Sequence, residues 1–584
     1  MEPLLSTRTG IVSIVFTSLI LSAGCHYGLG SIDRRVDRVL AERSMELSEF
    51  ARPPIRTWPD ADSTAERGQA SKTIATTNPA PDELTYIPAD EARDAKARLD
   101  SLLDEQGQVL PLTLADTLRL SQNQSREYLT AQEQYIISAI RLMIQRHTFD
   151  PRLFNTTTVN VAGAGSDASF TSVLSIMNEL GVTRQFEHGG QLAASWILNA
   201  SQDLRTGATD RYTQSSELVL SGNFPLLRGS GTVASESLIQ AERDVVYAAR
   251  DFERFRRQLF VSIASDYIRL LQQLATIENQ QRRIDSLQRL QTETRAKAEA
   301  GQLRDFEISI AQSDLLSAQA TLAGLQDQYR LLEDRFKIRI GLPVDQRVTL
   351  APISLSLPDP AVELDDATAA ALDYRLDLQN TRDRVLDARR SVANARNGLL
   401  PDLNLDARVG LPTDPSVDDA GVSFDPGELS YSAGATLQLP LDRINEKLQV
   451  RQSVIQLEQQ IRSYEQARDN VVIDARAAVR SVELARLQLT LAERQVETNR
   501  RRQRGQSIDR NTITPQQIVD TQNALLASEN ARDQAQADLR IAILNYILST
   551  GQMRVQPDGR IAPIGGLDLM PADNQPDQPD QPKP

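Results

Sequence analysis

The chain has 584 residues, too many for one ordinary core, so several domains or an extended repeat architecture are expected. Aromatic residues make up 5% and charged residues 24% of a composition that suits long helices better than a compact catalytic core. A formal net charge of −14 leaves no basic excess to displace phosphate counterions, which argues against nucleic acid as a partner. The only histidines are His26, His147 and His188, and Cys25 is the only cysteine. A Cys/His metal site or a Cys–His nucleophile pair therefore has little to draw on, an intrachain disulfide is excluded, and neither an enzyme nor a cofactor is expected.

The N-terminus starts with a weak positive charge at Arg8, followed by the largely apolar stretch Ile11 to Leu21, of signal-peptide length. It ends in Leu21-Ser22-Ala23-Gly24-Cys25, which resembles a lipobox, with Ser22 where leucine is usual. That resemblance implies a signal peptide over 1–24 and a lipid on Cys25. His26 stands in place of the aspartate that retains lipoproteins at the inner membrane, so an outer-membrane destination is expected. Residues 25–108 read as a tether: a short helix around Ile32 to Leu47, then Pro53-Pro54 and Pro79-Ala80-Pro81 in polar surroundings.

Two copies of one unit come next. In the first, Pro151 closes a helix and strand-like alternation appears over Phe154–Ala162 and Leu218–Phe224. Pro225 then hands over to a long helix that runs towards Gly301. In the second, Pro401 closes a helix, and Leu403, Leu405, Ala407 and Val409 alternate with polar residues. Tyr431, Ala433, Ala435, Leu437 and Leu439 do the same, and Pro440 starts the next helix. Proline suits these boundaries because it lacks the N–H that a ladder or helix interior requires. No apolar run is long enough to cross a bilayer as a helix, which leaves a closed barrel as the way to span one.

The returning helices carry the duplication most plainly. The ladder Ile308, Leu315, Leu322, Tyr329, Phe336 ends at Gly341, and Ile518, Leu525, Arg532, Leu539, Tyr546 ends at Gly551, each member 210 positions from its partner. A second seam pairs Ala311, Ala318, Leu325 and Leu332 with Thr521, Ser528, Ala535 and Ala542. Seven-residue repeats of this kind make helices that supercoil on their neighbours. The C-terminal stretch 563–584 is a Pro/Gln/Asp tail that cannot bury a core.

Several motifs, in order, resemble those of the TolC-like outer-membrane factor family of outer membrane efflux proteins. Leu112-Thr113-Leu114-Ala115-Asp116-Thr117-Leu118 is similar to the family's opening. Pro225-Leu226-Leu227-Arg228-Gly229 resembles its strand-to-helix junction, and Lys297-Ala298-Glu299-Ala300-Gly301 its helical tip. Ile340-Gly341-Leu342, the stretch Ala371 to Leu378 and Leu399-Leu400-Pro401-Asp402-Leu403 match further points. The resemblance covers about 110–560. It divides the remainder into repeats at 109–350 and 351–562, and marks Pro151, Pro225, Pro401 and Pro440 as strand–helix junctions.

The resemblance implies a mainly α fold with a β-barrel part. It implies a homotrimer in which each chain gives four strands to a twelve-stranded transmembrane β-barrel and its long helices to a periplasmic α-helical barrel. From Pro225 to Gly301, 76 residues at about 1.5 Å each give an arm of about 100 Å. A further alternating stretch, Leu192, Ala194, Trp196, Leu198 and Ala200, has no place in that plan. One extra strand per chain gives an odd total, so this stretch is expected in an extracellular extension. The implied function is an outer-membrane channel subunit of a tripartite efflux or type I secretion system, lipid-anchored in the outer membrane and extending into the periplasm. Its partners are a periplasmic adaptor, an inner-membrane pump and outer-membrane lipid. The family's entrance aspartates match Asp520, with Gln517 in place of the other. Tips for the adaptor are Lys297 and Gly301 in the first copy. In the second they are either Arg501 and Gly505, which keep the basic-to-glycine spacing, or Asn511, which keeps the register. Two other readings have sequence support, a periplasmic adaptor lipoprotein and a structural coiled coil. The duplicated strand pairs argue against both.

Overall fold

A computed structural model describes residues 34–41, 109–166, 169–203, 212–302, 304–352, 362–413, 423–508, 513–555 and 561–563. Cys25, Asn511, the expected signal peptide and the expected tail beyond Pro563 lie outside these residues, as does most of the expected tether; a short helix occupies 34–41. The chain forms two compact units, each assembled from both sequence repeats. One takes the described residues within 1–48, 135–248 and 381–464; the other takes those within 49–134, 249–380 and 465–584.

The duplication is visible in element lengths. Helices α1 (Leu114–Gln124) and α2 (Arg126–His147), of 11 and 22 residues, match α5 (Leu364–Tyr374) and α6 (Leu376–Asn397), of 11 and 22. The long helices α3 (Glu236–Glu299) and α7 (Ile444–Ile508) have 64 and 65 residues, and the returning helices α4 (Asp305–Ile340) and α8 (Pro515–Ser549) have 36 and 35.

The first unit holds an antiparallel sheet. Its strands are β2 (Arg152–Ser166), β3 (Ser169–Gln185), β4 (Gln191–Asp203), β5 (Tyr212–Pro225), β7 (Asp402–Pro412) and β8 (Ser430–Gln438), in the spatial order β2-β3-β4-β5-β7-β8. The four strands expected from alternation are present as β2, β5, β7 and β8. Two findings correct the sequence reading. The stretch around Trp196, expected apart from the four-strand plan, is strand β4 within the same sheet, paired along its length with β3 and β5. The sheet therefore contains six strands of this chain where the resemblance implies four. The parity argument fails because it counts one extra strand, whereas β3 supplies a second. In β3 the alternation is blurred by Val173 and Met177 on one face and Asn178 on the other.

The β3–β4 turn shows which end of the sheet it occupies. Phe186 donates its N–H to the Gly190 carbonyl at 3.0 Å, and Gly231 donates to the His188 carbonyl at 2.9 Å. Both turn glycines are left-handed, Gly189 at φ 95° and Gly190 at φ 92°. The turn thus packs against the segment just after Pro225, at the helix-bearing end of the sheet.

The second unit is helical. Thr113 caps α1 through a capping box with Asp116, so the family-like opening motif is also a helix start. The returning helices bury the seam of small residues: Ala311, Ala318, Thr521, Ser528, Ala535 and Ala542 are all buried, whereas the Ile308 ladder is only partly so. Small side chains let helices approach closely, and the larger ladder residues fill the flanks. Strands β1 (Leu110–Leu112) and β6 (Val348–Leu350) form a parallel pair. The Tyr267 hydroxyl ties their ends, 2.9 Å from the Leu112 carbonyl and 2.7 Å from that of Ala351. Strands β9 (Met553–Val555) and β10 (Ile561–Pro563) form a short antiparallel pair. Arg256 donates to the Val555 carbonyl at 2.7 Å while paired with the buried Glu253.

Candidate functional site: a two-faced sheet and a helical tip

Residues directly opposite on adjacent strands share a face. Ladder pairing therefore sorts the sheet into two faces. One row runs Leu153, Val182, Ala194, Leu220, Val409, Tyr431 across all six strands. A row next to it joins Leu180, Trp196, Leu218 and Leu411. This apolar face is open: Leu153 is 74% and Tyr431 84% exposed, and Val161, Leu220 and Leu437 are also exposed. Burying such residues is worth about 1.5–3 kcal/mol each, so the face needs an apolar environment that the described residues do not supply. Its polar exceptions satisfy one another: Asn178 donates to Asn155 at 2.8 Å and to Thr157 at 2.7 Å.

The opposite face is polar. One of its rows reads Arg152, Thr183, Ala193, Ser221, Arg408, Ser432. By register, every charged residue of these strands falls on it except Arg184, which lies beside the β3–β4 turn. Arg408 pairs with Glu217 at 3.2 Å, and Asn223 donates to Asp406 at 2.5 Å. Among the described residues no helix is long and apolar enough to cross a membrane, and no cluster of His, Cys, Asp or Glu could hold a metal.

Prolines border four of the six strands. Pro151 and Pro401 immediately precede β2 and β7, Pro225 ends β5, and Pro440 comes just after β8. An arginine stands three residues after Pro225 and again after Pro440. Arg228 lies 3.6 Å from Asp402, and Arg443 donates to the Leu399 and Pro440 carbonyls, both at 3.0 Å. Asn397 accepts the Gly229 N–H at 2.8 Å. Arg443 and Asn397 escape the sequence reading; the repeated Pro-x-x-Arg spacing is the signal available for the former.

At the tip of the first copy, Gly301 is left-handed at φ 72°. Its N–H donates to the Ala298 carbonyl at 2.8 Å, and Gln302 donates to that of Lys297 at 2.9 Å. This is the Schellman ending expected of a helix closed by glycine. Lys297 pairs with Glu293 at 2.8 Å. In the second copy, Gly505 does not end its helix: α7 continues to Ile508, and Arg501 pairs with Glu497 within it. The basic-to-glycine spacing at 501–505 therefore marks a helical turn, not the tip turn.

Beyond the second tip, Thr514 caps α8 with Pro515 at its first position. Gln517 completes the capping box, its side-chain oxygen accepting the Thr514 N–H at 3.2 Å, so its amide serves the helix end. Ile518 and Val519 pack on Ile284, Leu287, Leu290 and Leu315. That packing turns Asp520 outward; it is exposed and accepts a hydrogen bond from Gln516 at 3.0 Å.

The opening of the second repeat holds an ion cluster. Arg375 lies 2.7 Å from Asp377 and 2.8 Å from Asp474, and Arg254 is 3.3 Å from Asp377. Burial pushes the Asp377 carboxyl up, but the Arg375 hydrogen bonds and charge outweigh it and hold the pKa below its ordinary 3.8. A depressed folded pKa contributes stability above the unfolded value, which is lost as pH falls through the folded one. Asp377→Asn is expected to cost about 1.5–3 kcal/mol near neutral pH and to flatten the acid-unfolding curve below pH 3.8. Circular dichroism along a pH titration reads this. Identical acid limbs for the two proteins would remove Asp377 from the account.

Residues 368–545 match the profile of the family described as Outer membrane efflux protein, so the resemblance read from the motifs is borne out over the second repeat. No curated protein gives a significant match. The Campylobacter jejuni CmeC outer membrane channel shares 13% identity, with TM-score 0.56 over 75% of this chain and 85% of its own. The Vibrio cholerae outer membrane protein VceC shares 15%, with TM-score 0.56 over 75% and 96%. The Neisseria gonorrhoeae MtrE outer membrane channel shares 16%, with TM-score 0.54 over 75% and 88%. The fold of this chain is the TolC-like fold of those structures.

Proposed function

We propose that this chain is the outer-membrane channel subunit of a tripartite efflux or type I secretion system. It would pass substrates from the periplasm or an inner-membrane pump to the exterior. The observation that carries the reading is the sheet with one open apolar face and one polar face. Apolar side chains facing lipid and polar ones facing a lumen are what a barrel strand in a bilayer requires. The match of residues 368–545 to the efflux family supports it independently.

Assembly as a homotrimer has support in elements left open by one chain. Helix α7 carries exposed Ile444, Leu448, Ile455, Ile473, Leu484, Leu487 and Leu491, while its counterpart α3 buries most of its apolar residues. Strands β2 and β8 each have one neighbour among the described residues. Open edges and an uncovered helix stripe in one protein are surfaces for further copies of it. In this reading Cys25 carries the lipid anchor, which mass spectrometry of the mature N-terminus tests. The tips at Lys297 and Gly301, with Arg501, Gly505 and Asn511 near the second tip, face the adaptor.

The reading is tested by purified protein in planar bilayers: stable trimers that conduct no ions would refute it. Asp520 narrows the periplasmic entrance, with Gln517 holding the helix start that presents it. Three outward carboxylates brought near one axis repel and attract cations. Asp520→Ala is expected to raise conductance and weaken cation preference, whereas Gln517→Ala is expected to lower stability with little effect on selectivity. A reversal of those two results would exchange the assignments.

A further inference from the structure

We infer that the assembled protein closes an eighteen-stranded barrel, wider than a four-strand contribution per chain would allow. The inference rests on the trimeric channel reading above. Its basis is the way β3 and β4 enter the sheet. They are not appended to an edge. Strand β2 pairs only with β3, β3 with β4, and β4 with β5, over 15, 13 and 12 residue pairs. No direct β2–β5 ladder exists among the described residues, so no set of four strands could close without first breaking two long ladders. Each ladder bond lost inside a bilayer would leave polar backbone groups without water.

The inserted strands also carry the membrane-facing pattern themselves. Leu180, Val182, Ala194, Trp196 and Leu198 continue the apolar face from β2 through to β5, while Glu179 and Asn199 fall on the polar one. A hairpin standing outside the membrane would have no reason to keep both faces in phase with its neighbours. Its turn, tied through His188 to Gly231, lies at the helix end of the sheet. The hairpin therefore crosses the full height of the sheet. Six strands from each of three chains also satisfy the even count usual for bacterial barrels.

Strands about 4.8 Å apart and tilted by about 40° give a backbone diameter of ~36 Å for eighteen strands and ~24 Å for twelve. A barrel of the larger size leaves a water-filled lumen that side chains cannot fill. The inserted hairpin is thus a width determinant, and it suits cargo bulkier than a small solute at the external end of the duct.

Electron cryomicroscopy of the full-length protein in lipid nanodiscs tests this. The expected map shows eighteen strands around the axis and a barrel about 1.5-fold wider than a twelve-stranded one. A trimer with twelve strands and residues 169–203 outside the bilayer would overturn the inference while leaving the channel reading intact. A protein that forms no membrane-inserted pore would overturn the channel reading itself. A variant with residues 167–212 replaced by Asn-Gly keeps the apolar residues of β2 and β5 on one face, and should close at the narrower diameter. Should that variant not fold, a second measurement on the intact strands decides. With Trp58→Phe removing the other tryptophan, brominated lipid should quench Trp196 strongly. Unquenched emission from a folded, pore-forming trimer would place β4 outside the membrane and sink the inference.

Discussion

Gly551→Ala will destabilise the helical unit by about 2–5 kcal/mol, and Gly341→Ala by at least as much. Both glycines close returning helices, α8 and α4, in Schellman endings. Gly551 donates to the Leu548 carbonyl at 3.1 Å and Gln552 to that of Ile547 at 3.1 Å; Gly341 and Leu342 do the same at 3.2 and 2.9 Å. Their φ values of 71° and 87° are left-handed, which costs a residue with a Cβ about 1–2 kcal/mol. The larger part comes from what the Cβ would strike. At Gly341 it would lie 2.4 Å from the Gln124 carbonyl oxygen, and at Gly551 2.8 Å from the Tyr374 carbonyl carbon. These are backbone atoms at the ends of α1 and α5, the matched helices of the two copies, and backbone cannot swing aside as a side chain can. Gly301 is the control: its φ of 72° is similar, but no atom lies within 4 Å of the position its Cβ would take. Gly301→Ala should therefore cost only the conformational part, about 1–2 kcal/mol. Thermal unfolding followed by circular dichroism measures all three. Equal losses at 301, 341 and 551 would show that the contacts with α1 and α5 contribute nothing.

A charge on the apolar sheet face should be nearly as costly. Leu220 lies mid-strand on β5, exposed, in the row with Ala194 and Val409. On the proposed channel reading this strand faces lipid, where an arginine at mid-strand costs about 2–4 kcal/mol per chain, three times over in a trimer. Leu220→Arg should accordingly fail to fold into lipid vesicles or do so in low yield. Asn199→Arg places the same side chain on the polar face of β4, opposite Met177 and Ser215. There it remains in water, near Glu179 and Glu217, and should fold normally while shifting ion selectivity towards anions. If both variants insert equally well, the assignment of the two faces to lipid and lumen is wrong.

Part of this architecture is legible in the amino-acid sequence. Strands β7 and β8 declare themselves because their alternation is unbroken over seven residues or more. The junction prolines are legible because a residue without an N–H is tolerated at few positions. Gly341 and Gly551 are legible as helix ends because they close ladders of fixed period. The role of Gly505 is illegible for the opposite reason. A glycine can end a helix or ride within one at modest cost, and only its surroundings in the folded chain decide between the two. Gln517 likewise reads as a substituted gate residue, whereas its amide is engaged in capping α8.

The sequence by itself determined which side chains of β7 and β8 share a face and where the returning helices end at Gly341 and Gly551, because those features arise from local periods of two and seven and from capping chemistry. It could not determine which strands are neighbours. Pairing of β2 with β3, and of β5 with β7 across nearly two hundred residues, is a long-range choice made by ladder hydrogen bonds common to every residue and encoded by none in particular. Only the tertiary structure could therefore show that the stretch around Trp196 lies within the sheet, with β3 beside it.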